Sequence, residues 1–252
     1  MELELSVLSW VVRVLVGLAA GVMINYLADV LPKSRRFARP VCQACDQSLS
    51  IKDYLLLRNC PECRNWRRVR SIIVLLAAAT VSILLSIFPF AGLNYWASLP
   101  ILVFLGAIVV IDIEHRLVLY ETSLVGVALF LIYGIVLRGI VATLSGGLGG
   151  FAIMMVFFLT GFLFVRILGR IRNKEIKEVA FGFGDVAAGT FLGLFTGWPV
   201  ILGAVIIAFV VFGIYSLFVL LALLVTKKYR AFSNALPFAP FLVLGVIVIF
   251  YL

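Results

Sequence analysis

Two aspartates and four cysteines carry most of the chemistry this chain has to offer. Asp112 closes a long apolar run in Ile111-Asp112-Ile113-Glu114-His115-Arg116, and Asp185 opens another in Phe181-Gly182-Phe183-Gly184-Asp185. A carboxylate is costly at the border of a lipid phase, so an acid placed there is a candidate for function. Two facing carboxylates can share one proton, because their repulsion opposes ionising both. The ionised group then activates water while the acid protonates a carbonyl oxygen, which is peptide hydrolysis without a metal. Such a pair titrates as one coupled unit, and the sequence assigns the proton to neither member. Gly182 and Gly184 leave the backbone before Asp185 free to take positive φ and to approach an extended substrate closely. Each aspartate has a plainer reading: Asp185 as a helix N-cap, Asp112 as a helix-end charge within reach of Arg116. Their shared position at the ends of apolar runs favours a dyad. Glu114, His115 and Arg116 read as a solvated helix end, and the single histidine has no nucleophile motif beside it.

The four cysteines fall in two knuckles, Cys42-Gln43-Ala44-Cys45 and Cys60-Pro61-Glu62-Cys63. Four thiolates suit a borderline-soft tetrahedral ion, with zinc the natural candidate, and they leave no open position for a substrate. Such a site is structural: it folds a short basic segment that has too few apolar residues for a core of its own. The alternative of two disulfides is disfavoured if the segment faces the cytoplasm.

Apolar residues make up 64% of the 252-residue chain and charged residues 13%, a balance suited to lipid. Runs long enough to cross a bilayer are expected near Leu5–Val30, Ser71–Phe90, Tyr95–Ile111, Ser123–Leu137, Gly147–Val165, Val186–Pro199, Val200–Val225 and Pro237–Leu252, about eight transmembrane helices in an all-α integral membrane protein. Gly197-Trp198-Pro199 reads either as a turn between the sixth and seventh or as a kink fusing them. Glu2 and Glu4 stand where a secretory signal would be basic, so the first run reads as a retained helix. Three parts follow: a first transmembrane helix over 1–30, a loop over 31–70 with the cysteines, and a polytopic core over 71–252. With the loop in the cytoplasm, Arg166, Arg170, Arg172, Lys174, Lys177, Lys227, Lys228 and Arg230 also fall inside, Arg138 lies opposite, and both termini face outward. This placement accounts for the net charge of +9 without a nucleic-acid partner. Both aspartates then lie at the cytoplasmic face.

The ordered set Gly21-Val22-Met23-Ile24-Asn25, the paired Cys-x-x-Cys knuckles, Ile111-Asp112, Gly182-Phe183-Gly184-Asp185 and Pro237-Phe238-Ala239-Pro240-Phe241 resembles the type IV prepilin leader peptidases, membrane aspartic peptidases with a Gly-x-Gly-Asp motif. The resemblance implies that Asp112 and Asp185 are catalytic and that Cys42, Cys45, Cys60 and Cys63 form a cytoplasmic zinc loop in a protein of the bacterial inner membrane. It implies prepilin or pseudopilin substrates, cleaved after the glycine that follows a short basic leader, in support of pilus assembly or type II secretion. Their hydrophobic helix can enter from the lipid while the leader stays outside it.

The sequence departs from the family in places. Val118-Leu119-Tyr120-Glu121 stands where a Leu-Pro-Asp turn is usual, and Ala187 where a lysine is common. Many members also methylate the new N-terminus with S-adenosylmethionine. Here the segment between the knuckles is short and Arg70-Ser71-Ile72-Ile73 lacks the expected acid, so that second activity stays open. A catalytically inactive assembly factor of a pilus or secretion system is the main alternative; a proton-moving transporter ranks last, because the acids sit at span ends. Oligomeric state is not legible.

Overall fold

The computed structural model describes residues 2–42, 45, 47–55, 58, 60–63, 68–90, 92–172, 182–226 and 236–252, without the side chains of 2–7, 68, 168, 169, 171 and 172. The basic residues Lys174, Lys177, Lys227, Lys228 and Arg230, and Phe181 of the second aspartate motif, lie outside the described residues. The described residues form helices and no strands: α1 (Glu2–Ser34), α2 (Ile51–Leu55), α3 (Arg68–Ile87), α4 (Tyr95–His115), α5 (Tyr120–Arg138), α6 (Ile140–Arg172), α7 (Phe183–Thr196), α8 (Val200–Thr226) and α9 (Ala239–Tyr251). Their only β feature is an isolated bridge, Val41 to Ser48.

Every expected apolar run is a helix, but they differ in length. Six are long and apolar enough to cross a membrane: Leu8–Ser34, Val69–Ile87, Tyr95–His115, Tyr120–Arg138, Ile140–Ile167 and Val200–Thr226. The other two, Phe183–Thr196 and Ala239–Tyr251, are shorter. At 1.5 Å per residue, the 14 residues of α7 reach about 21 Å, less than the roughly 30 Å of a hydrocarbon core. Gly197-Trp198-Pro199 is a turn and not a kink. Gly197 takes φ 74°, its N–H closes α7 on the Gly193 carbonyl at 2.8 Å, and Pro199 precedes the fresh start of α8. A left-handed residue followed by proline cannot carry a helix through. α6 begins at Ile140, earlier than the run expected from Gly147, since nothing between Gly139 and the glycines of 146–150 breaks the helical period.

The chain divides into two compact units, 1–111 and 112–252. In the first, α1 and α3 pack along one seam. Cβ atoms at Gly17 or Gly21 would stand 2.7 Å from the Ala79 Cα and 2.9 Å from the Leu75 Cα, so these two glycines let the backbones meet, as small residues do in membrane bundles. Polar contacts close both ends: the Ser82 hydroxyl donates to the Arg13 carbonyl at 2.9 Å, and the Asn25 amide to the Ser71 carbonyl at 3.2 Å. One turn further, Asp29, 1% exposed, takes Arg70 on Oδ1 at 2.9 Å and the Tyr54 hydroxyl of α2 on Oδ2 at 2.6 Å. A buried charge needs such partners, and these fasten the loop of residues 31–70 to the helix pair.

In the second unit α7 is the buried helix. Phe191 and Phe195 are inaccessible to solvent and stack on Phe130 of α5 with ring centres 5.8 and 4.9 Å apart. On α5 the inward face is Thr122, Gly126, Phe130 and Gly134, one residue per turn. Against α6, Gly189 and Gly193 meet Gly146 and Gly150 backbone to backbone, where a side chain would overlap a carbonyl. A helix enclosed by neighbours in this way does not depend on lipid for burial.

Candidate active site and metal centre

Asp112 lies one turn from the C-terminus of α4 and is 5% exposed. Arg116 just beyond it takes φ 54°, and its N–H closes the helix on the Asp112 carbonyl at 2.9 Å. The Asp112 side chain turns to the start of α9, where Oδ2 accepts the Ala239 N–H at 3.1 Å. Asp185, half-buried, is the third residue of α7. Its Oδ2 accepts the Gly182 N–H at 3.0 Å, and its own N–H donates to the Gly182 carbonyl at 3.1 Å. Asp185 therefore does cap a helix, but from the N3 position with Gly182 as the N-cap, the acidic half of a capping box. The two carboxylates lie within electrostatic range of each other, and Arg116 within range of Asp112. Each holds a backbone N–H on one oxygen, while Oδ1 accepts no hydrogen bond among the described residues. One free oxygen on each of two neighbouring acids is what water activation and carbonyl protonation require.

The two motif glycines do different work from that expected. Neither takes positive φ: Gly182 is extended, with φ −86° and ψ 161°, and Gly184 is already helical. Gly182 has open space around it, whereas a Cβ on Gly184 would stand 2.7 Å from the Val118 Cβ and 3.3 Å from the Val118 nitrogen. Gly184 is thus required for contact, because it lets the segment following α4 lie directly on the first turn of α7. That contact joins the two stretches of chain bearing the aspartates. Val118 belongs to the stretch where the usual Leu-Pro-Asp turn is missing, so its packing role could not be read from the family's pattern. Glu114 is exposed and His115 half-buried at the end of α4.

In the first unit none of the four cysteines forms a disulfide, and their sulfurs all lie within 4.8 Å of one another. Cys42 to Cys63 is 3.4 Å and Cys45 to Cys60 is 3.5 Å. Zinc–sulfur bonds of about 2.3 Å in a tetrahedron put the sulfurs about 3.8 Å apart, so the cluster fits that ion without rearrangement of its fold. The sulfurs divide charge unevenly. The Cys63 N–H, outweighing burial, holds Cys60 below the ordinary thiol value. At Cys45 the Gln47 N–H pulls down, but burial and the sulfurs of Cys60, Cys63 and Cys42 prevail and push the thiol up to about 12. A bound cation is what draws all four to thiolate. Cys42, Cys60 and Leu49, with Cys45 and Tyr54 against them, form the only core this segment has among the described residues.

The described residues of the second unit are thus helical, with acids from two helix ends within electrostatic range of each other. A profile of the type IV leader peptidase family matches residues 99–217, a stretch that includes Asp112, Gly182, Gly184 and Asp185. The match bears out the resemblance read from the motifs and supports a membrane protease of that kind. No curated protein and no solved structure gives a significant match.

Proposed function

We propose that the chain is an intramembrane aspartic endopeptidase that removes the short basic leader of type IV prepilins or pseudopilins after a glycine, with Asp112 and Asp185 as its catalytic pair. The observation that carries this reading is that the two carboxylates lie within electrostatic range of each other, each anchored through one oxygen to a backbone N–H and each with the other oxygen accepting no hydrogen bond among the described residues. The ionised member takes a proton from water, whose oxygen attacks the scissile carbonyl carbon; the protonated member gives its proton to the carbonyl oxygen. Collapse of the gem-diol intermediate then breaks the C–N bond: the departing amine takes the proton left on the first carboxylate, and a hydroxyl proton of the gem-diol returns to the second as the carboxylic acid forms. Zinc on Cys42, Cys45, Cys60 and Cys63 would hold the loop and supply no step.

In this reading the chain crosses the bacterial cytoplasmic membrane eight times, with α7 and α9 as short spans and the dyad at the cytoplasmic face beside the leader. The test is cleavage of a prepilin in detergent or liposomes by the wild type, Asp112→Asn and Asp185→Asn, with the folding of all three verified by thermal melting. Wild-type cleavage with both variants inactive is expected, since an amide cannot exchange the proton. A variant that cleaves at the wild-type rate overturns the assignment; a wild type that cleaves no prepilin favours the assembly-factor alternative. Labelled S-adenosylmethionine in the same reaction reads methyl transfer.

A further inference from the structure

An account of the donors at the start of α9 shows where Asp112 gets its fixed position. A helix leaves its first four N–H groups without intrahelical partners. In α9 these belong to residues 238–241, and Pro240 has none to give. Phe241 donates to the Phe238 carbonyl at 3.0 Å, and Leu242 makes the first full helical bond to the same carbonyl at 3.2 Å. The Phe238 side chain offers no cap. The Ala239 N–H goes to Asp112 Oδ2, 127 residues away in the sequence. The helix dipole adds its positive end at the same place.

That N-terminus is itself held firmly. Phe238 is 2% exposed, its ring 5.0 Å from Phe209 and 5.3 Å from Phe212 of α8. Phe241 packs on Phe212 and Tyr215 at 5.3 and 5.2 Å. Further along, Gly245 lies against the Ala204 backbone, so α8 and α9 meet without intervening side chains.

Resting on the dyad reading, we infer that the start of α9 is the element that aims Asp112, with the Ala239 N–H as its contact and Phe238 as the positioning residue that fixes that N–H. The carboxylate is left one rotational choice, with Oδ2 on α9 and Oδ1 toward the reaction. Phe238 touches no reacting atom; it acts through Ala239.

The decisive experiment removes the N–H alone. Replacing Ala239 by its α-hydroxy acid analogue turns the 238–239 amide into an ester of the same shape. Losing a hydrogen bond to a carboxylate in a reacting centre is expected to lower kcat by roughly tenfold or more, with KM for the prepilin unchanged because the substrate is not touched. Phe238→Ala should lower kcat in the same way and Phe238→Leu should restore most of it; because losing this buried ring also destabilises the fold, cleavage is compared well below the melting temperature of each variant. Hydrogen exchange at the Ala239 amide gives a readout independent of catalysis: it is protected in the wild type and exchanges faster in Asp112→Ala. If the ester cleaves at the wild-type kcat while Asp112→Asn is dead, the inference is overturned and the dyad stands. If exchange at Ala239 does not respond to Asp112→Ala, the contact itself is refuted. If the wild type cleaves no prepilin, the proposed function falls, and the catalytic part of this inference with it.

Discussion

Gly182 and Gly184 belong to one motif, yet the geometry separates them, and substituting each by alanine tests the reasoning. At Gly184 the new Cβ would meet the Val118 Cβ at 2.7 Å, and an ordinary contact begins at 3.4 Å. The segment after α4 and the first turn of α7 must therefore part by about 0.7 Å. Val118 cannot relieve this by changing rotamer, because the atom struck is its Cβ and the backbone nitrogen lies close behind. Asp185 is the next residue, so the displacement passes directly into the separation of the carboxylates. A shift of about 1 Å in a catalytic group can cost about a hundredfold, and Gly184→Ala should lower kcat by roughly ten- to a hundredfold, with a smaller effect on KM. At Gly182 a Cβ would come no nearer than 3.8 Å to any other group among the described residues, and φ −86° suits any residue; Gly182→Ala should stay within about threefold, the cost of a poorer N-cap. Adding Val118→Gly to Gly184→Ala removes the struck atom and should recover most of the loss. The assay is steady-state prepilin cleavage, with a melting curve for each variant. Equal loss at both glycines, or no recovery in the double variant, would refute the contact argument and point to backbone freedom.

Purified protein should hold a single zinc per chain by elemental analysis, and Cys42→Ser or Cys63→Ser should lose it. Zinc needs thiolates, so acid favours the protonated, metal-free sulfurs: retention should be complete at neutral pH and fall as pH falls, never the reverse. Arg70→Met removes the cation 2.9 Å from the buried Asp29 and should destabilise the first unit by about 3 kcal/mol in a denaturation experiment, with Asp29→Asn costing less. Gly150→Ala drives a methyl into the Gly189 backbone, which should lower the melting temperature and the cleavage rate together through α7, at a cost of roughly 1–3 kcal/mol. Gly213→Ala, with open space around it, is the neutral control.

Much of this site was legible because its signals are local. Asp112 and Asp185 could be singled out from cost alone, since an acid beside a long apolar run needs a reason to be there. The cysteine spacing pointed to a four-sulfur cluster because two short knuckles place their thiols on one side of the chain, whatever the rest does. What the residues around the aspartates contribute was less visible. Asp185 as a helix cap and Asp185 as a dyad member looked like rivals in sequence, but in the structure the cap occupies only one of its oxygens, so the two readings are compatible. The glycines suggested unusual backbone angles, the commoner reason for glycine, whereas Gly184 answers to a neighbour 66 positions earlier. Pro237-Phe238-Ala239-Pro240-Phe241 marked a helix start; that its spare N–H belongs to Asp112 required the distant partner.

Composition and the length of apolar runs determined by themselves that this is a helical membrane chain, since backbone polar groups in lipid can be satisfied within a helix and runs of that length have few other places to go. They placed most of the helices to within a few residues, α6 being longer at both ends than expected, and put both acids at helix ends. Tertiary structure decided which ends meet. Long-range pairing depends on where backbones can approach, and here that is set by single atoms: the missing Cβ of Gly184 under Val118, those of Gly150 and Gly189 between α6 and α7, and the Ala239 N–H that pairs with Asp112. Hydropathy sums over many residues and cannot resolve such contacts, which is why it gives the helices and the structure gives the site.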